Sequence, residues 1–592
     1  MPEITVELPP SAINPRIGRA GSFAFPLLLA VIAAILAGMV LLILKMNHGV
    51  FIYSMDDPYI GLALSDQIRH GNYGLNSGMP AAPDSSILYP LLMVPASGSP
   101  LHPYLPLILN TLALFATLVI IWRFFMHLRL AQDTFGVFAL AATLLLLALY
   151  VNLIGVAFTG LEHSLHIAAV AAAVYGLALF LDTDKMPRWL PAAIVVAPLL
   201  RFEGLALSLA ALLVLLLRGR WRAALGSLAA IGLCMGLFSV FLIHIGMPPL
   251  PSSVLAKSEV AANGINGAGG GFFQSISENV STMAHIPSGA LLLLIGAIAL
   301  ARCLGEALGL RSRVAAIMNW LPRRLRNTRF FRLFAGPDAE DHDPSTIFDA
   351  QPRRWSSQGL MALLLACFIA AHAVAGQFGW LDRYEDYVLL GSALISIYLL
   401  RKAIRYVLLN RSARVVLPGA IAIILAMICY RYIRVTWRVP LASNNIYEQQ
   451  FQMHRFVNDY YRGPVAVNDL GLVSYHNPNF VLDLGGLASE RARILKAGDA
   501  SAEDYRTLVA DSGVHLVIIY EEWFPGQIPA SWIKVASMNL SREHVSCALS
   551  EVQFYATDAF TASQLQPELE SFRKSLPPGV KLTIHIGRGP GN

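Results

Sequence analysis

Repeated apolar runs of membrane length constrain this chain more than any other feature. Candidate spans are 23–45, 101–125, 134–152, 163–181, 189–200, 203–217, 223–246, 288–308, 358–380, 386–400 and 415–433, of which 189–200 and 386–400 are notably short. About 20 apolar residues in helical form cross a bilayer core, and a helix is favoured there because it satisfies its own backbone groups. Composition agrees: 55% of the 592 residues are hydrophobic and 14% charged, against about 25% charged in ordinary globular chains. The expectation is a polytopic α-helical membrane protein of about 11 spans. The net charge of +6 does not point to nucleic acid, because the basic residues sit mostly in short loops between apolar runs. Cys234, Cys303, Cys367 and Cys429 lie in apolar runs and Cys547 in the polar tail. No disulfide framework or Cys/His metal spacing is present, so a structural zinc site is not expected.

Positive charge predicts direction. With residues 1–22 as a cytoplasmic segment, the inner loops receive Arg123, Arg129, Lys185, Arg188, Arg218, Arg220 and Arg222, the long basic loop 309–357, and Arg401, Lys402, Arg405, Arg411 and Arg414. The outer loops receive only Arg69, Arg201, Lys257 and Arg383. The expected architecture is a transmembrane domain over 23–439, with outer loops 46–100, 153–162, 247–287 and 381–387, and an extracytoplasmic domain over 440–592.

Adjacent carboxylates at Asp56 and Asp57 open the first outer loop. Like charges this close, near low-dielectric material, push one pKa upward, and such pairs are kept where a proton or a cation is handled. Asp57-Pro58 is equally a helix start, with Asp at the N-cap and Pro at the first helical position. From there Ile60, Leu64 and Ile68 recur every four residues, predicting an amphipathic helix from Pro58 to His70 on the membrane surface. Pro80 to Pro90 reads as irregular. Further outer turns carry Thr159-Gly160-Leu161-Glu162, Arg201-Phe202-Glu203-Gly204, Pro249 to Lys257, and Arg383-Tyr384-Glu385. A solvated acid at Glu162 and a surface pair Arg201–Glu203 of negligible worth are the plain alternatives. Asn263 to Gly271 is glycine-rich without any phosphate-binding fingerprint.

The tail alternates β-rich runs (465–467, 480–482, 514–519, 552–555 and 581–586) with helix-like stretches at 445–461, 488–510 and 562–575. That pattern predicts a small three-layered α/β domain. Asn468-Asp469 and Asp483-Leu484-Gly485-Gly486-Leu487 fall at strand ends, where turn chemistry and function both favour such residues. His476, a lone histidine, reads as structural.

Taken in order, Asp56-Asp57-Pro58-Tyr59-Ile60, Thr159 to Glu162, Arg201 to Gly204, Pro249 to Lys257 and Arg383-Tyr384-Glu385 resemble the outer-loop motifs of bacterial GT-C glycosyltransferases. Val467 to Gly471 and Asp483 to Leu487 resemble the outer domain of the subgroup that includes terminal arabinofuranosyltransferases. The resemblance implies an enzyme of the bacterial inner membrane with its C-terminal domain periplasmic. Such an enzyme moves a sugar, arabinofuranose in that subgroup, from a polyprenyl-phosphate donor to an envelope glycan, glycolipid or protein acceptor. It implies Asp56 as base, with Asp57 and Glu162 orienting it or holding a divalent cation, for which hard oxygen ligands suit Mg²⁺, Mn²⁺ or Ca²⁺. Arg201, Lys257 and Arg383 would bind the donor phosphate. Tyr59, Glu203, Tyr384, Glu385, Asn468 and Asp469 would contact substrate. A transporter or flippase for a lipid-linked glycan is the rival, and it would place ionisable residues near span midpoints and show inverted repeats.

Overall fold

A computed structural model describes residues 19–255, 272–308, 355–410, 413–498 and 500–585. Lys257, the glycine-rich run and the arginine-rich part of the basic loop lie outside the described residues. Each run expected to span is helical. Among the described residues, seven helices are long and apolar enough to cross a membrane: Ala24–Met46, His102–His127, His163–Thr183, Trp221–His244, Pro287–Ala307, Ser357–Ala375 and Asp386–Leu409. Val416–Ile428 and Tyr430–Tyr461 qualify together but bend by 65° at their junction. Thr134–Tyr150, Leu190–Leu200 and Phe202–Leu217 are apolar but shorter. The last two are one apolar stretch interrupted at Arg201, whose backbone is extended.

The most enclosed of these seven helices, His163–Thr183, carries small residues on its buried faces (Ala171, Ala173, Gly176 and Ala178), which let neighbouring helices approach closely. Buried amides tie the bundle together at one end. Asn47 Nδ2 donates to Ser443 Oγ at 3.0 Å, Asn444 Nδ2 to Asn47 Oδ1 at 3.1 Å, and Thr436 Oγ1 to Asn152 Oδ1 at 2.8 Å.

The C-terminal part folds around a six-stranded mixed sheet whose strands lie side by side in the order 481–483, 465–467, 516–519, 551–556, 533–540 and 580–584. The strands are β1 (Val465–Val467), β2 (Val481–Asp483), β3 (Leu516–Ile519), β4 (Ile533–Leu540), β5 (Glu551–Ala556) and β6 (Val580–Ile584). β1 pairs in parallel with β2 and β3, while β3–β5, β5–β4 and β4–β6 are antiparallel. β3 is buried on both faces, as an unbroken apolar run predicts for a central strand. Leu516 and Ile518 enter one core and Val517 and Ile519 the other, following the two-residue period of a strand.

The first of these cores is shared with the bundle end, and here four sequence expectations change. The helix predicted to lie on the membrane surface is Pro58–Arg69, and residues 58–65 are all buried. Its Tyr59, Ile60, Leu62 and Leu64 pack with Leu472, Val473, Tyr475 and Leu516, so its apolar face meets the C-terminal domain. The expected boundary at 440 falls inside the continuous helix Tyr430–Glu448, which carries Pro440 within it. The helix expected over 488–510 is two, Glu490–Ala497 and Ala502–Asp511, the second restarted by a Ser501–Asp504 capping box. β4 was not anticipated, because Lys534, Ser537 and Asn539 interrupt its apolar character.

Docking of the two parts turns on Asp56 and Gly471. The Asp56 carboxylate accepts the Gly471 N–H at 2.7 Å and the Leu472 N–H at 2.8 Å. A Cβ at position 471 would lie 2.1 Å from the Asp56 carbonyl oxygen and 2.6 Å from Oδ2. Gly471→Ala is therefore expected to destabilise the docked domain by about 1–3 kcal/mol, the usual cost of overpacking. Thermal melts and limited proteolysis of the purified protein would read the change, and a wild-type melt would remove this contact from the account.

Candidate functional site

At the bundle end beneath the C-terminal domain lies a cavity of about 300 Å³. Its polar walls come from separate loops: Asp57, Asp84, Glu162, Arg201, Arg383 and Tyr384 among them. Leu487 contributes from the C-terminal domain.

Each wall has a local reason for its position. The turn ending in Glu162 is held against the Tyr53–Asp57 loop by the Ser54 N–H and Oγ on Phe158 O (both 3.1 Å), and against the segment at 80–90 by Tyr89 Oη on Gly160 O (2.9 Å). Gly160 has φ +71°, and a Cβ there would meet Tyr53 Cδ1 at 2.7 Å, so this close turn requires glycine. The irregular segment at 80–90 is pinned by Ile87 N–H on Leu199 O (3.1 Å), and Ser252 N–H on Ala82 O (2.9 Å) brings in Ser253. Before Arg383 the chain passes through three successive left-handed residues, Trp380, Leu381 and Asp382. Such backbone costs roughly 1–2 kcal/mol per residue. It is held by Asn152 Nδ2 on Leu381 O (3.0 Å) and by Arg431 Nε on Asp382 (2.9 Å).

Arg201 is 4% exposed and bridges two acids: Nη1 pairs with Glu162, itself 2% exposed, and Nη2 with Glu203 at 2.7 Å. The expectation of a negligible surface pair is corrected, since a buried cation with two carboxylates is a different object energetically. Arg383, 6% exposed, donates Nη2 to Asp57 Oδ2 at 2.7 Å and to Tyr384 Oη at 3.1 Å, and Nη1 approaches the Met55 sulfur. Its buried Nε has no hydrogen-bond partner among the described residues. Both guanidiniums lie by the Tyr384 ring, with Cζ 4.8 Å from its centroid for Arg383 and 5.9 Å for Arg201. Asp57 occupies the N-cap position as expected, but its side chain makes no cap bond; Arg383 takes it instead.

Asp84 was missed in the sequence, where it reads as one more turn residue between Pro83 and Ser85. Its Oδ1 accepts the Ser86 N–H at 2.8 Å. Burial, and after it the neighbouring Glu162 carboxylate, push its pKa up to about 8. Ser85, His163, Ser253 and Gln377 also line the cavity without having been singled out as site residues.

Other expected site residues lie elsewhere. Asp56 is not among the lining residues; burial, then the Asp469 carboxylate, push it up to about 8 against the two backbone N–H groups that favour its charge. Asp469 accepts from Gln450 Nε2 at 2.8 Å and is likewise raised, chiefly by burial. Asn468 Oδ1 caps the Tyr520 N–H at 2.8 Å. The Tyr59 hydroxyl is 3.4 Å from the Tyr53 N–H inside the aromatic core. Glu385, fully buried, accepts from Tyr432 Oη at 3.0 Å and Gly379 N–H at 3.1 Å, and burial followed by Asp382 lifts it to about 7. Thus Asp57, Glu162, Arg201, Arg383 and Tyr384 come together, with Glu203 reaching the group through Arg201. Asp56, Tyr59, Glu385, Asn468 and Asp469 serve contacts around the site instead.

A family model described as a domain of unknown function (DUF8728) matches residues 444–555, from the end of the Tyr430–Glu448 helix through β5. No curated protein matches the chain.

Proposed function

We propose that this chain is an integral-membrane glycosyltransferase that moves a sugar from a polyprenyl-phosphate donor to an envelope glycan, glycolipid or protein acceptor. The observation that carries the reading is one cavity holding two buried guanidiniums around Tyr384 together with Asp57, Asp84 and Glu162. The asymmetry of basic residues supports an extracytoplasmic site, and apolar helices beside it suit a prenyl chain. Arabinofuranose as the sugar rests on the motif resemblance alone.

In an inverting displacement the acceptor oxygen attacks the anomeric carbon while the bond from that carbon to the phosphate oxygen breaks. The acceptor proton passes to a carboxylate, and the lipid phosphate leaves with the electron pair. Negative charge grows on that phosphate, so Arg201 and Arg383, shielded from bulk water, bind the transition state more strongly than the ground state. Of the adjacent pair, Asp57 lines the cavity, so this reading gives it the base role and leaves Asp56 as the tether to Gly471 and Leu472. Asp57 and Glu162 each face a guanidinium, so a divalent cation would have to displace Arg383 or Arg201.

Incubating detergent-purified protein with a panel of prenyl-phosphate sugars and envelope acceptors tests the proposal. Release of prenyl phosphate with one sugar is the expected result. No turnover with any sugar, alongside movement of a labelled lipid-linked glycan across vesicles, would transfer the reading to a flippase.

Asp84 adds a pH signature. Neutral below about pH 8 and charged above it, its carboxyl puts a further negative charge beside Glu162 as pH rises. The donor KM is expected to rise above about pH 8 with little change in kcat, and Asp84→Asn to flatten that rise. An unaltered KM profile in the variant would detach Asp84 from donor binding.

A further inference from the structure

The far end of the Pro58–Arg69 helix carries a second cluster that the proposed reaction does not use. Asp66, His102 and His476 come from three segments: that helix, the turn before the Leu105–His127 helix, and the C-terminal domain just after Tyr475. One donor atom from each lies within 4.8 Å of the others. Asp66 Oδ1 is 3.4 Å from His102 Nδ1, and Asp66 Oδ2 is 3.3 Å from His476 Nε2. Ligands at about 2.0–2.1 Å around a tetrahedral zinc stand roughly 3.3–3.4 Å apart, so each distance, one from each oxygen of the Asp66 carboxylate, has the length of an edge of such a site.

The hydrogen bonds decide the histidine tautomer. Ser65 Oγ donates to the Leu62 carbonyl at 2.7 Å, so it accepts from His102 Nε2–H at 2.9 Å. The lone pair of His102 is then on Nδ1, aimed at a carboxylate that carries lone pairs of its own. His102 is fully buried and Asp66 19% exposed, and although Ser97 Oγ donates to Asp66 Oδ1 from another side, two acceptors facing each other repel unless something positive lies between them. The Tyr475 hydroxyl, 3.1 Å from Nδ1, competes for that lone pair. A ligating histidine whose other nitrogen is fixed by a serine or carbonyl is the usual outer arrangement of a metal site. His476 reaches Asp66 from a left-handed backbone position (φ 55°) and is 57% exposed, so the cluster is open to solvent on one side.

We propose that Asp66, His102 and His476 bind a zinc ion that clasps the C-terminal domain to the first loop of the bundle. Two imidazole nitrogens and one carboxylate oxygen, with a fourth position open to water, suit Zn²⁺ over Mg²⁺ or Ca²⁺, which take all-oxygen shells. No cysteine takes part, so cysteine spacing carries no trace of the site. The ion joins the two parts at one end of the Pro58–Arg69 helix, and the Asp56–Gly471 contact joins them at the other.

The test uses the full chain in detergent, stripped with a chelator and titrated with Zn²⁺ against a chromophoric competitor. One zinc per chain is expected, with a higher thermal midpoint when bound. His476→Ala, at an exposed position, should weaken binding by more than the roughly 10–100-fold that loss of an outer partner costs, and should abolish the thermal shift. Ser65→Ala, which removes only the tautomer lock, should weaken binding by roughly 10–100-fold. Absence of saturable zinc binding, or wild-type affinity in His476→Ala, would overturn the assignment and leave a plain His–Asp–His hydrogen-bonded latch.

Discussion

Asp57→Asn is expected to lower sugar transfer by roughly 10²–10⁴-fold, the range that a positioned proton acceptor contributes, while the protein still inserts and melts as wild type. The amide keeps the size of the side chain and can still accept from Arg383 Nη2, so the 2.7 Å contact has a neutral substitute. What it loses, on the proposed mechanism, is the capacity to take the acceptor proton. Asp57 is 41% exposed, so water screens its side of the pair with the buried Arg383, and the amide keeps a hydrogen bond on that guanidinium. Loss of turnover without loss of folding therefore separates chemistry from structure. Asp56→Asn should do the reverse, because its carboxylate engages Gly471 and Leu472 rather than the cavity. Near-normal turnover in Asp57→Asn, measured as prenyl phosphate released per enzyme, would end the base assignment.

Replacing Arg201 should have the largest effect on stability. In Arg201→Met, Glu162 is left 2% exposed with its cation gone, and breaking a buried pair from one side costs about 3–5 kcal/mol. A lower thermal midpoint and reduced yield are the expected readouts. Adding Glu162→Gln removes the stranded charge and should recover much of that loss, since a buried pair replaced on both sides is often close to neutral. Transfer should stay low in the double variant, because on the proposed mechanism the leaving phosphate still lacks one of its two guanidiniums. Recovery of both stability and transfer would reduce Arg201 to a packing role.

The loops singled out by motif meet at one cavity, but the motifs could not say which side chain of a loop turns inward. Asp56 and Asp57 are equivalent on paper. Helix entry at Pro58 rotates one carboxylate toward Arg383 and the other toward the backbone of Gly471. Glu385 follows Arg383 by two residues, yet it is fully buried on Tyr432 while Arg383 lines the cavity. Asp84 gave no signal because Pro, Asp and Ser are ordinary turn formers. Its significance comes from burial beside Glu162, a residue 78 positions away in the chain. His476 likewise becomes notable only when the C-terminal domain carries it to Asp66.

What the chain determined locally is the set of apolar helices, most of the strands of the C-terminal sheet and the turns that need glycine. Those follow from hydrophobic period, run length and backbone freedom, all short-range properties. Tertiary structure decided that the Pro58–Arg69 helix packs under the C-terminal domain rather than on a membrane surface, and that Arg201 is a buried bridge rather than a solvated pair. Burial and charge pairing depend on which distant segments meet. A carboxylate or guanidinium reads the same in sequence whether water or another chain segment ends up beside it.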